Sequence, residues 1–80
     1  MSSKLKNITA TKFIKALERD DFIFKRQKGS HKIYKHPRRG NWVSVPYHPS
    51  ETFTKGILEG LISDAGWIED DLIRLKLMRK

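Results

Sequence analysis

Gln27-Lys28-Gly29-Ser30-His31-Lys32-Ile33-Tyr34 reads as two β-strands closed by a two-residue turn. Gly-Ser between β-like runs favours a type II′ hairpin, because glycine supplies the positive φ needed at the first central position. Lys28 and His31 then face each other across the turn with side chains about 5 Å apart. A titratable imidazole stands beside a fixed cation at a solvent-facing tip. From Lys25 to Arg39 the chain carries seven basic residues (Lys25, Arg26, Lys28, Lys32, Lys35, Arg38 and Arg39) and no acidic one.

The flanking sequence builds a sheet around this turn. Phe22 to Lys28 is a β-branched and aromatic run that becomes polar toward the tip, and His31 to about His36 is its partner. Pro37-Arg38-Arg39-Gly40-Asn41 is a turn cluster, and Trp42 to Val45 is a third short strand stopped by Pro46. Short turns between three strands make an antiparallel meander. Tyr47 to Thr54 is a loop holding His48, Pro49 and Ser50.

Helices bracket the sheet. Residues 1–8 are polar and read as a frayed start. Ala10, Phe13, Ile14 and Leu17 recur at helical spacing behind a Thr9 or Thr11 cap, and Asp20-Asp21 ends the run. Thr54 caps a second helix to Ala65, with Ile57, Leu58, Leu61, Ile62 and Ala65 on its apolar face and Gly66 at its end. Gly56 and Gly60 inside it cost about 1 kcal/mol each relative to alanine and read as close packing against the sheet. Residues 67–80 read as a third helix, with Glu69, Asp70 and Asp71 in its first turn and Lys76, Arg79 and Lys80 in its last. Its apolar set is too wide for one stripe, so it is either buried on two sides or offers a partner surface. The fold class is α+β: an α-β-β-β-α order, two helices on one face of a three-stranded antiparallel sheet, and an extra C-terminal helix. The other sheet face and the hairpin tip stay open to a ligand.

Eighty residues with 38% hydrophobic content make one small domain with a modest core. No cysteine is present, which removes disulfides, a thiolate nucleophile and a cysteine-based zinc site. There is no apolar signal region and no run long enough to cross a bilayer, so no membrane association and a cytoplasmic location are expected. The net charge of +8 is uneven: residues 1–49 carry +9 and residues 50–80 carry −1. A basic half on a small domain points to nucleic acid, bound through phosphate neutralisation. A solvated basic surface that serves solubility is the plainer alternative.

His31, His36 and His48 lack the helical spacing of dedicated metal ligands, and the carboxylates are too scattered for a two-metal nuclease, so no metal or other cofactor is expected. No phosphate-binding loop, dinucleotide fingerprint or serine-nucleophile motif occurs. What remains is a histidine in basic surroundings, which suits RNA strand cleavage. The substrate carries its own nucleophile, the 2′-hydroxyl, so the protein need supply only proton transfer and cations for the developing charge. Imidazole, with an ordinary pKa of about 6.5, can give or take a proton near neutrality. The alternatives are a polar residue at a hairpin tip, a non-catalytic RNA-binding module, or a small structural protein. Tyr34 and Trp42 fit sheet packing better than base stacking, His36 before Pro37 reads as structural, and His48 is a weaker second acid/base candidate.

Arg26-Gln27-Lys28-Gly29-Ser30-His31, Tyr34, His36-Pro37, Val45-Pro46, His48, Gly56-Ile57-Leu58 through Ile62 and Ala65-Gly66 together resemble the HicA toxin family, over about residues 9–66. The length makes 1–80 a single domain, with a core over about 9–66 and a C-terminal helical extension over 67–80, and the resemblance implies a double-stranded-RNA-binding-domain-like fold and ribonuclease activity on mRNA. It also implies neutralisation by a HicB antitoxin, with the toxin alone monomeric. The family's catalytic histidine corresponds to His31. The expected RNA contacts are Arg26, Lys28, Gly29, Ser30, Lys32 and Tyr34. Two positions depart from the common pattern: Lys32 stands where many members have a second histidine, and Asp21 where many have glycine. The segment 67–80 extends past the usual family core, and its broad apolar face is expected to pack on the domain or to help hold the antitoxin.

Overall fold

The computed structural model describes residues 8–48 and 51–78. The frayed start expected over residues 1–8 lies outside the described residues except at Ile8, where it is corrected, since Ile8 is buried in the core. The loop positions Pro49 and Ser50 and the helical placement of Arg79 and Lys80 also lie outside the described residues. Helix α1 spans Ala10–Arg19, followed by strands β1 (Ile23–Lys28), β2 (His31–Lys35) and β3 (Trp42–Pro46) and helices α2 (Lys55–Ala65) and α3 (Glu69–Arg74). The strands form one antiparallel sheet in the order β1-β2-β3, as the meander reading requires.

Local chemistry sets each boundary. Thr9 Oγ1 accepts from Lys12 N at the start of α1, and Thr54 Oγ1 from Ile57 N at the start of α2. Gly66 closes α2 in the left-handed region. At the end of α1 the same region is taken by Asp21 (φ 72°): Phe22 N donates to Leu17 O and Asp21 N to Glu18 O, a Schellman ending without glycine. The position at which the resemblance marks glycine is thus one where the backbone favours it.

The core lies between the helices and one face of the sheet. Phe13, Leu17, Tyr34, Val43, Val45, Leu58 and Leu61 are all buried there. Phe13 meets Trp67 at 5.3 Å and Phe53 edge-on at 6.0 Å between ring centroids. Phe53 N donates to Ile8 O, which ties the loop before α2 to the start of α1.

Two further expectations are corrected. The third helix is six residues long, not the whole of 67–80. Lys76 adopts φ 66°, with Leu77 N donating to Leu72 O and Lys76 N to Ile73 O. A continuous helix would spread its apolar residues around the circumference. The reversal folds Leu75, Leu77 and Met78 under the domain, where all three are buried. The apolar segment therefore packs on the domain. Gly56 and Gly60 do not mark close packing either: both are exposed, and a Cβ at either would meet nothing within 4 Å.

Candidate nucleic-acid interface at the hairpin tip

Register decides which side chains share the open face, because paired residues across an antiparallel sheet project to the same side. Val43 and Val45 are fully buried, so their row partners Tyr34 and Lys32 face the helices. The alternate residues face outward in three rows: Lys28, His31 and Pro46 at the tip, then Arg26, Ile33 and Ser44, then Ile23, Lys35 and Trp42. The pairing of β1 with β2 shifts between Phe24 and Arg26, leaving Lys25 as the extra residue of a bulge. The shift lets the Phe24 ring meet Tyr34 at 5.5 Å, while the charged Lys25 stays exposed.

The tip has the expected geometry. Lys28 pairs directly with His31. Gly29 has φ 59°, and Ser30 keeps an ordinary negative φ, the sign pattern of a II′ turn. Gln27 Nε2 donates to Gly29 O at 3.1 Å. Tyr47 N donates to Ser30 O at 2.7 Å and carries the ladder past the end of β3, so His48 follows directly beyond the tip. Lys28, Gly29, His31, Ile33 and Ser44 line an open depression of about 400 Å³.

The expected contact residues divide by face. Arg26, Lys28 and His31 lie on the open face, with Gly29 and Ser30 in the turn that joins them. Lys32 lies on the opposite face, its Nζ 3.9 Å from the centroid of the Tyr47 ring. Tyr34 is buried; that burial, with the charges of Glu18 and Tyr47, raises its phenol above the ordinary value. Neither Lys32 nor Tyr34 shares a surface with His31. Ser44, Lys35 and Trp42, which the sequence reading left unassigned to a site, do share it. Finding them required the β2–β3 register, which the Pro37–Asn41 turn sets and the strand pattern alone does not.

The basic run also divides. Arg39 pairs with Asp20 at 3.0 Å and Arg38 with Asp21 at 3.0 Å. Lys25, Arg26, Lys28, Lys32 and Lys35 have no carboxylate within ion-pair distance among the described residues. None of the nine acidic residues lies in a strand, so the sheet's outer face is cationic without internal compensation. His36 is structural: its ring is fully buried, edge-on to Phe22, and Nδ1 accepts from the backbone N–H groups of Arg38 and Arg39. Among the described residues no three histidine or carboxylate side chains are placed to hold a metal ion, and no helix is long and apolar enough to cross a membrane.

The site is a cationic hairpin presented by a small α+β domain, and comparison with known proteins places the chain in a class of toxins. Residues 10–67 match the family described as HicA toxin of bacterial toxin-antitoxin. That span covers well over half of the chain, from α1 to the junction after α2, and the chain belongs to the HicA toxin family. It is the toxin partner of a toxin–antitoxin pair. No curated protein matches the sequence.

Proposed function

We propose that this toxin is a metal-independent endoribonuclease that cleaves mRNA in the cytoplasm, with His31 as its proton-transfer residue. The observation that carries the reading is the Lys28–His31 pair, fixed by the Gly29 turn on a sheet face that holds cations and no carboxylate. His31 takes the proton from a 2′-hydroxyl as that oxygen attacks the adjacent phosphorus. The bond from phosphorus to the 5′-oxygen breaks, leaving a 2′,3′-cyclic phosphate and a 5′-hydroxyl. His48, just past the tip, is the proton donor for the leaving oxygen. Lys28 and Arg26 stabilise the charge that builds on the non-bridging oxygens. A positioned proton-transfer group contributes about 10²–10⁴-fold, so the enzyme is slow and depends on how the strand is held.

A HicB-like antitoxin, carrying acidic residues over the tip and its basic rim, would block substrate and catalyst together. The test is RNA cleavage in EDTA by the wild type and by His31→Ala, each checked for folding by circular dichroism. Cleavage by the wild type alone, with 2′,3′-cyclic phosphate ends, supports the mechanism. Equal cleavage by both removes His31 from it. Tight RNA binding without cleavage by either makes the protein a binding module.

A further inference from the structure

Trp42 lies on the outer face of the sheet, away from the core. The other tryptophan, Trp67, is buried in the core, yet the Trp42 side chain stays 51% exposed on the open sheet face. Its row continues through Lys35 to Ile23, itself 50% exposed. Lys35 Nζ lies 5.0 Å from the centre of the Trp42 ring. An exposed tryptophan in a strand row with a cation is the combination that holds an unpaired base: the ring offers a face to stack on and the ammonium reaches the phosphate beside it.

We infer that the outer face of the sheet is a track for single-stranded RNA, with Trp42 as a base-stacking platform and Lys35 as its phosphate partner. This rests on the ribonuclease reading and extends it to how the strand is held. The tip row and the Trp42 row lie four residues apart along β2 and β3, about 13 Å. The stacked base is therefore set apart from the scissile phosphate, and the contact serves affinity and register, not proton transfer. Charge complementarity favours a polyanion: Arg26, Lys28 and Lys35 project from this face, and no strand residue is acidic. Asp21, the carboxylate nearest in sequence to Ile23, is already paired with Arg38. The single strand is favoured over a duplex because a base within a helix does not present its face.

The experiment measures binding apart from cleavage. A short, labelled 2′-O-methyl oligonucleotide, which lacks the attacking hydroxyl, is titrated at low salt against wild type, Trp42→Ala and Trp42→Phe; a fully paired duplex of the same sequence is titrated in parallel. Because Trp42 is half exposed, all three proteins should unfold at similar temperatures. Trp42→Ala is expected to weaken single-strand binding about 5- to 150-fold, the range for one stacked base. Trp42→Phe should restore most of it, and the duplex should be little affected. Wild-type affinity in Trp42→Ala overturns the inference, as does an equal loss for single strand and duplex. Stacking on Trp42 by a protein that cleaves nothing would instead leave the track standing and sink the nuclease reading.

Discussion

Trp67 Nε1 donates to Asp20 Oδ2 at 2.8 Å, which fixes the segment after α2 to the end of α1. The same carboxylate accepts from Arg39 Nη2 at 3.0 Å and from Arg74 Nη2 at 3.1 Å. One nearly buried side chain thus joins α1, the β2–β3 turn, the junction after α2, and α3. Asp20→Asn removes the charge but keeps the shape. Because Arg39 and Arg74 are about half exposed and can be rehydrated, the loss is expected near 2 kcal/mol, below the cost of breaking a fully buried pair. In a domain this size that lowers the thermal midpoint by roughly 8–16 °C, with RNA binding below the transition intact.

The same site sets the acid limit of stability. Burial pushes the Asp20 carboxyl up, but hydrogen bonds from Trp67, Arg39 and Arg74 together outweigh it and hold it below its ordinary value. Asp71 is also held low, first by the backbone N–H of Ile68 and then by Arg74. As pH falls, the unfolded chain takes up these protons first, near pH 4, and the native state later. The stabilisation is therefore complete above about pH 5 and is lost progressively from about pH 4 downward. Denaturant midpoints at neutral pH and near pH 3 should show a smaller acid loss in Asp20→Asn than in wild type. At the alkaline end the buried Tyr34 phenol has a raised pKa. The unfolded chain ionises first, so stability falls as pH rises above about 10.

Much of this fold is legible in the sequence where one residue type does one job. Gly29 with Ser30 fixes the turn and hence the Lys28–His31 pair, and Thr54 with Gly66 brackets α2 within a residue. By strand alternation Lys32 lies on the face away from His31. The basic run obscured this, since seven cations in sequence read as one patch until Arg38 and Arg39 are seen paired with Asp21 and Asp20. Asp20 looked like a helix end only. Its three donors come from residues 19 to 54 positions away, and no local pattern encodes such a junction. The reversal at Lys76 was hidden too, because lysine carries no turn signal and the left-handed backbone there is set by burial of Leu75 and Leu77.

Glycine positions give opposite predictions. At Gly29 a Cβ would meet nothing within 4 Å, so only the positive φ opposes a side chain. Gly29→Ala is expected to cost about 1–2 kcal/mol and to reduce cleavage by more than the unfolded fraction explains, because the turn sets the Lys28–His31 pair. Gly60, helical and exposed with open space beside it, should give a gain of about 0.4–1 kcal/mol on change to alanine. Chemical denaturation of both variants, with cleavage assayed on the folded proteins, checks the pair. Destabilisation by Gly60→Ala would mean that a neighbour approaches that helix face.

Leu72, Leu75, Leu77 and Met78 lie outside the matched family span but inside the core. Leu75 is 1% exposed, and its carbonyl accepts from Arg19 Nη1 at 3.1 Å. Leu75→Ala is expected to cost about 2–4 kcal/mol through lost burial and the cavity left behind. If the segment served only to hold an antitoxin, the variant would unfold like the wild type and lose affinity for that partner instead. Urea unfolding of the toxin alone separates the two, since only the packing role lowers its midpoint.

The division of cations between faces gives the sharpest test of the RNA site. Arg26 and Lys28 share the outer face with His31, whereas Lys32 projects to the other side over the Tyr47 ring. If the substrate runs across the outer face, Arg26→Ala and Lys28→Ala each remove one phosphate contact. The slope of log affinity against log salt should then fall by about 0.7 per contact, the single-strand value. Lys32→Ala removes the same unit of charge but no contact on the track, so it should shift affinity only through the long-range field and leave the slope near that of the wild type. All three changes lower the net charge equally, so a response that followed net charge alone would give three matching slopes. Matching slopes would mean that the cations act through net charge alone and that the strand does not run across the outer face. A slope that falls for Arg26 and Lys28 alone fixes the strand on the face that also carries His31 and Trp42.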